Sequence, residues 1–339
     1  MKSCINCKKQ IQVSDKFCPY CGQSQNKQSP SCILYALAFA VVGILFWLLL
    51  RGCEGGSGLD PTRQPKSTAL SLPTSTSVLP KQSTKTEDPL AAIAKYGSGT
   101  SHKDGMRLVY VPAGDFSMGS NSGYSDEQPV HTVTLDAFWI GQTEVTNGMY
   151  ESCVSAGACS AQNKTYHNPS TGSNHFGESQ YRNYPAVYVN WEDARDYCRW
   201  VGGRLPTEAE WEKAARGTSG YTYPWGNQSI THSYANYDNY KGDTDEVGSY
   251  LKGASPYGAL DMAGNVWEWT ADYYGEYYYA SSPSTNPQGP SSGTTHVLRG
   301  GSFFAEEGYQ RTSMRVTSSS AETESYGSGN WGFRCVFDD

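Results

Sequence analysis

The hydrophobic and polar positions of this chain fall into three regimes. Ile33 to Leu50 (ILYALAFAVVGILFWLLL) runs for eighteen residues without a charge or a proline. As a helix rising about 1.5 Å per residue it reaches roughly 27 Å, near the hydrocarbon thickness of a bilayer. It has no polar face, which separates it from a core helix, and the segment before it is far too long for a signal peptide. The pattern predicts a transmembrane helix over 33–50. Residues 51–100 are rich in Ser, Thr, Pro and Gly (SGLDPTRQPKSTALSLPTSTSVLPKQSTKT) with no helical apolar period, and predict a disordered tether.

From Met106 onward the pattern becomes that of a folded domain. MRLVYVPAG and HTVTLDAFWIG alternate as strands do. Thr146 opens a short helix toward Cys153. Asn190 caps WEDARDYCRWV, in which Ala194, Tyr197, Cys198 and Val201 fall at helical spacing and Gly202 ends the helix. Thr207 and Glu210 form a capping box for the next helix, with Pro206 before it, Gly217 after it, and a stripe of Trp211, Ala214 and Ala215. In a strand over 266–270, Val266, Glu268 and Thr270 share one face, and Trp267 and Trp269 the other. The predicted class is α+β: two helices on small sheets, with much irregular chain.

Charge adds topology. Lys2, Lys8, Lys9, Lys16 and Lys27 precede the apolar run against Asp15 alone, while Arg51 is met by Glu54 and Asp60 beyond it. The positive-inside rule then places the N-terminus in the cytoplasm and the bulk of the chain in the periplasm or outside the cell. The net charge of −7 and pI near 5.4 give no basic footprint, so no nucleic-acid partner is expected. With 25 Tyr and 9 Trp, and charged residues at only 17%, the composition suits a loop-rich domain with an aromatic core.

The ten cysteines divide along the same boundary. Cys4-x2-Cys7 and Cys18-x2-Cys21 form two knuckles whose four thiolates complete a closed tetrahedral zinc site, structural because no position stays open. A zinc ribbon over 1–27 is predicted, held together by its metal and facing an unidentified cytosolic partner; disulfide pairing, the alternative, is disfavoured on the cytosolic side. Cys32 and Cys53 bracket the apolar run. Cys153 and Cys159, flanking a small loop, are read as one disulfide of the large domain. The histidines (102, 131, 167, 175, 232 and 296) form no HxxxH or HExxH grouping, and no phosphate loop is present.

GRLPTEAEWEKAARG (203–217), YPWGN (223–227), ALDMAGNVWEW (259–269) and RGGS…GFRCVF (299–337) occur in this order. Together they resemble the formylglycine-generating enzyme family, the sulfatase-modifying-factor type of C-type-lectin-like domain, over residues 105–337. The resemblance implies a disulfide between Cys198 and Cys335; four buried free thiols remain the alternative for the domain. It implies calcium held by the Asp261 and Glu268 side chains with the Gly264 and Val266 carbonyls, oxygen ligands that suit this ion, against an ion-free, hydrogen-bonded carboxylate. A second family calcium site matches Asn236 and Tyr237, with Asp238 or Asn239 nearby, on a loop that is shortened here (YANYDNYKGD).

The family's oxidases carry a reactive cysteine pair soon after the RGGS turn and bind copper through it. This chain has Phe303, Phe304, Ala305 and Gln310 there, so no copper is expected. Phe303, Phe304, Glu306, Glu307 and Tyr309 would form either a ligand face at the emptied pocket or lid packing. The function this implies is a membrane-anchored extracytoplasmic module binding a protein or glycan, with the diversified receptor of retroelements as one variant. A divergent metal-dependent oxidase and a structural subunit of an envelope complex are the alternatives.

Overall fold

The computed structural model describes residues 2–3, 10–11, 98–101, 103–162, 173–318 and 327–339. The four ribbon cysteines, the apolar run 33–50 and nearly all of the tether lie outside these residues. Among the described residues no helix is long and apolar enough to cross a membrane.

Near the N-terminus β1 (Lys2–Ser3) pairs antiparallel with β2 (Gln10–Ile11). The first half of the domain carries β3 (Ser98–Thr100), β4 (Arg107–Val111), β5 (Gly114–Met118), β6 (His131–Leu135), β7 (Phe138–Gly141) and helix α1 (Asn147–Ser155). Helices α2 (Trp191–Trp200) and α3 (Glu208–Arg216) follow, then β8 (Trp267–Tyr273), β9 (His296–Arg299), β10 (Arg315–Thr317), β11 (Trp331–Gly332) and β12 (Val336–Asp338). One four-stranded sheet has the order β12-β7-β4-β3 and another β10-β9-β8-β11, while β5 and β6 form a hairpin of their own. Each predicted strand pattern divides at a turn into two strands, MRLVYVPAG into β4 and the start of β5, and HTVTLDAFWIG into β6 and β7. The last residues of the domain return to pair with its first half, Val336 opposite Ile140.

The helix starts form as their caps dictate. The side chains of Thr146 and Asn190 accept the backbone N–H of Met149 and Asp193. At α3 the Thr207 hydroxyl accepts from Glu210 N at 3.2 Å, and the Glu210 carboxylate accepts from Thr207 N at 2.7 Å. The stripe on α3 is wider than predicted, because all nine of its residues are buried, Glu208, Glu212, Lys213 and Arg216 included. Charged groups tolerate burial only when paired or hydrogen-bonded, and here every one is, Lys213 through carbonyls alone. Arg299 bridges Glu208 (3.1 Å) and Glu212 (2.5 Å), Arg315 reaches Glu208 (2.7 Å), Arg216 holds Glu212 (2.6 Å), and Lys213 donates to the carbonyls of Pro112 and Gly114. Burial pushes the Glu208 carboxyl up, but Arg315 and Arg299 more than offset it and hold it below the usual carboxylate range.

Strand β8 keeps its predicted alternation but has no solvent face: Val266 to Thr270 are all buried. The Trp269 ring packs edge-on to Trp331 and its indole N–H donates to the Val189 carbonyl. On the other face the Glu268 carboxylate receives Arg334 from the GFRC segment, Nε at 2.6 Å and Nη2 at 2.6 Å, with the Trp211 indole N–H at 2.8 Å. Arg334 also donates to the carbonyls of Gly141, Gln142 and Leu260. One guanidinium therefore joins β7, β8, the chain before Asp261 and the end of the domain.

Both disulfides form, Cys153–Cys159 and Cys198–Cys335, each with Cα atoms 5.4 Å apart. The second sits in a core of Tyr150, Tyr197 and Phe333. It closes a loop with a sequence separation of 137 against 6 for the first, so in the chain-entropy model it contributes about 5 kcal/mol and the other about 2. Denaturant titration of paired Cys→Ser variants should order the losses this way, and equal losses would contradict it. Replacing Arg334 by Leu strands the Glu268 carboxylate in the core and should cost about 3–5 kcal/mol in the same measurement; a loss below about 1 kcal/mol would mean that the pair is dispensable.

Candidate functional site

Two places collect the residues singled out by the sequence. The first is the loop after the RGGS turn. Gly300 and Gly301 both take positive φ (97° and 78°), a conformation favouring glycine. A Cβ on Gly301 would lie 2.1 Å from Gln310 Oε1. The Gln310 side chain is fully buried, and its amide donates to the carbonyls of Ser302 (3.2 Å), Ala305 (2.9 Å) and Glu306 (3.4 Å). The loop between Ala305 and Gln310 is thus closed by an amide across its own carbonyls.

The loop's backbone is held from outside as well. Asp238 N donates to Ala305 O at 2.9 Å, Asn239 N to Phe303 O at 2.6 Å, and Phe303 N to Asn265 O at 2.8 Å. Tied on both sides, Phe303 turns inward and is 1% exposed, which removes it from the predicted ligand face: it is core. Phe304 and Tyr309 are half-buried, and Glu306 and Glu307 are exposed. Glu307 accepts the Tyr223 hydroxyl at 3.2 Å. Burial first, and Glu307 second, push the Tyr223 phenol up to about 12. Tyr309 shares a hydrogen bond with Tyr124, and burial followed by that neighbour pushes it, too, up to about 12. Arg311 beside them is committed to Glu127 through two 2.6 Å contacts. Behind the loop the rings stack, Tyr223 on Trp225 (5.0 Å) and Trp225 on Tyr234 (4.7 Å), then His232 between Tyr237 (4.6 Å) and Tyr240 (4.0 Å), with Tyr223, Trp225 and Tyr237 buried. The face is therefore aromatic and acidic, and smaller at its centre than predicted.

The second place is the polar pocket beneath DMAGNVWEW. Asp261 and Asn265 both adopt left-handed backbone, φ 55° and 58°, a conformation Asp and Asn tolerate better than other side chains. Gly264 (φ 84°) lies so close to the 236 loop that a Cβ would sit 2.4 Å from Asn236 O. Asp261 accepts the Gly248 N–H at 2.6 Å. Asn265 donates to Glu144 Oε1 at 2.9 Å, and Asn236 donates to Asp243 O at 2.9 Å and to Asn265 Oδ1 at 3.4 Å. Burial first, then the Asp261 carboxylate, push the Glu144 carboxyl well above the usual range; burial raises Asp261 as well. Of the predicted calcium ligands, the structure brings Asp261 into this pocket but gives both oxygens of Glu268 to Arg334. Tyr237 turns its ring into the aromatic stack. Among the described residues no group of three or more His, Cys, Asp or Glu is arranged to hold a metal ion.

Glu144 was not singled out in the sequence. The signal available was its isolation, the only charge in the run FWIGQTEVTNGMY. Chemically, the domain offers no thiol at either place. Cys153, Cys159, Cys198 and Cys335, all the cysteines among the described residues, are joined in disulfides.

Residues 97–339 match the family described as the sulfatase-modifying factor enzyme 1-like domain. A protein of Streptomyces coelicolor named formylglycine-generating enzyme is 35% identical over 297 residues, covering 73% of this chain and 94% of its own length. Among solved structures, PvdO from Pseudomonas aeruginosa superposes with a TM-score of 0.60 at 27% identity, over 71% of this chain and 98% of its own. Treponema denticola variable protein 1 gives 0.58 at 27% identity with the same coverage. The four ordered motifs, the Arg334–Glu268 joint and the Cys198–Cys335 staple accordingly stand in a member of the sulfatase-modifying factor enzyme 1-like family, and this chain belongs to it.

Proposed function

We propose that the chain is a membrane-anchored extracytoplasmic binding module on a formylglycine-generating-enzyme scaffold, and that its domain is not an oxidase. The observation that carries this reading is the loop 305–310. Where the family's oxidases place two thiolates, this chain has an alanine and a buried glutamine whose amide is spent on three backbone carbonyls. A soft Cu(I) ion needs thiolate ligands, and the four cysteines among the described residues are tied in disulfides. The rim of the loop keeps the half-buried rings of Phe304 and Tyr309 and the exposed carboxylates of Glu306 and Glu307, which suits recognition of a protein or glycan in the manner of tyrosine-rich binding faces. A fold leaves function to the site grafted on it.

In this reading the apolar run 33–50 anchors the domain, the tether holds it off the membrane, and the ribbon of Cys4, Cys7, Cys18 and Cys21 binds zinc and a partner on the cytosolic side. A calcium ion stabilises the pocket under β8. The second reading, a divergent oxidase, is favoured by the 35% identity to a formylglycine-generating enzyme. The third, a structural subunit of an envelope complex, would be supported by capture of partners through the ribbon.

Full-length protein incubated with copper, oxygen and a Cys-x-Pro-x-Arg peptide is expected to leave the peptide thiol unchanged by mass spectrometry; conversion to formylglycine sinks the binding reading. Alkylation mapped peptide by peptide should find Cys153, Cys159, Cys198 and Cys335 unmodified until a reductant is added. Protease added to intact cells should cut between residues 51 and 100, whereas protection there would reverse the topology.

A further inference from the structure

Among the described residues six other than glycine take left-handed backbone, and three of them, Asp238, Asn239 and Asn265, bond the backbone of the loop after the RGGS turn. Strain of this kind persists where the surroundings over-determine it, and it gathers at binding sites. Asp238 (φ 55°) and Asn239 (φ 54°) are consecutive, and Tyr240 N closes their turn on Tyr237 O at 3.2 Å. Their own N–H groups go to Ala305 O at 2.9 Å and Phe303 O at 2.6 Å. The backbone donors of the turn are thereby spent on the loop, while both side chains stay exposed to solvent.

Tyr240 follows, and it is 66% exposed. Its ring lies 4.0 Å from that of His232, with 12° between the planes, and His232 is backed by the buried ring of Tyr237 at 4.6 Å. The three rings form a stack with Tyr240 outermost, one face on His232 and the other open to water. A free surface tyrosine loses rotamer entropy when a partner orders it; the stack has already fixed this one. Lys241 pairs with Asp245 and lies over the Tyr250 ring, so the nearest cation in the sequence is drawn away from Asp238.

We propose that the turn 238–240 is a carbohydrate subsite of the binding face, with Tyr240 as a platform for the C–H face of a pyranose and the Asp238 carboxylate and Asn239 amide as partners of its hydroxyls. This rests on the binding reading and gives it a ligand class. A pyranose is apolar on one face and rimmed by hydroxyls. The electron-rich face of an aromatic ring attracts its polarised C–H groups, a carboxylate accepts from hydroxyls, and an amide both donates and accepts. A protein segment asks for other features: an extended edge with free backbone groups, or a pocket for an aromatic anchor. This turn has given its N–H groups to the loop, and Tyr240 stands out into solvent. The net charge of −7 disfavours a nucleic acid.

The test uses the full-length chain in a detergent without a sugar headgroup, first on an array of immobilised oligosaccharides and then by calorimetry with the soluble form of the sugar retained. Wild type should bind at least one oligosaccharide saturably and release it to the soluble sugar. Tyr240→Ala should weaken binding at least about tenfold, while Tyr240→Phe, which keeps the ring, should retain it. Asn239→Gly suits the positive φ, so the turn should keep its shape and bind more weakly. Tyr277→Ala removes another ring, 71% exposed and outside the turn, and should bind as wild type does. Unchanged binding in Tyr240→Ala overturns the platform, and retention of no sugar by wild type overturns the ligand class. Neither result touches the binding reading, which falls instead if the same preparation converts the Cys-x-Pro-x-Arg peptide to formylglycine.

Discussion

The closed ion pair between Arg334 and Glu268 is the constraint from which the rest of this domain follows. Little of the chain is regular, and long loops connect short strands, so backbone ladders alone cannot fix where distant segments meet. Arg334 does so by reading carbonyls as well as a carboxylate. Its donors reach the end of β7 and the residue after it, the residue before Asp261 and the start of β8. Desolvating a guanidinium is costly, and only complete satisfaction of its donors offsets that cost. The register of β11 beside β8 and of β12 beside β7 is set within a few residues of it.

The same logic is repeated around α3. Arg299 and Arg315 come from the RGGS region and the strand after it, and both converge on Glu208, while Glu212 takes Arg299 and Arg216. The helix lies in the middle of the domain with its charges enclosed, so its sequence looks amphipathic while its environment is not. Aromatic rings fill the space between these charged joints, as where Arg315 lies 4.4 Å from the Tyr279 ring centroid. An aromatic core and buried ion pairs are two halves of one solution for a loop-rich chain: rings supply area, and arginines supply direction.

How much of this was legible depends on the range of the interaction. Helix starts were readable because a cap is local: Thr146, Asn190 and the Thr207–Glu210 box act within four residues. Strand alternation in β4 to β7 was readable for the same reason. Sheet order was not, since β8 pairs with β11 across more than sixty residues, and no periodicity encodes that. Phe303 was misplaced because its position after a glycine turn suggests a surface, whereas the Asn239 and Asn265 backbones that pull it inward are far away in sequence. That Glu268 ends as a hydrogen-bonded carboxylate was one of the two outcomes the sequence left open. That the partner is Arg334, and that Glu144 inherits the neighbouring space, required the fold.

The change at positions 305 and 310 can be weighed on the same terms. A thiol at 310 would make weak hydrogen bonds and would leave the carbonyls of Ser302, Ala305 and Glu306 with only the backbone N–H groups of Ala305, Asp238 and Tyr309. Glutamine spreads its two amide hydrogens over these three carbonyls, and its size fills the turn against Gly301. The loop is therefore rigid by its own chemistry, without a metal or a disulfide across it. Rigidity in a loop that presents Phe304, Glu306, Glu307 and Tyr309 lowers the entropy lost on ordering a partner there. An enzyme needs this loop to offer reactive sulfur to a substrate, while a binding face needs it to stay in one shape. On the proposed reading, Gln310 withholds the first property and supports the second.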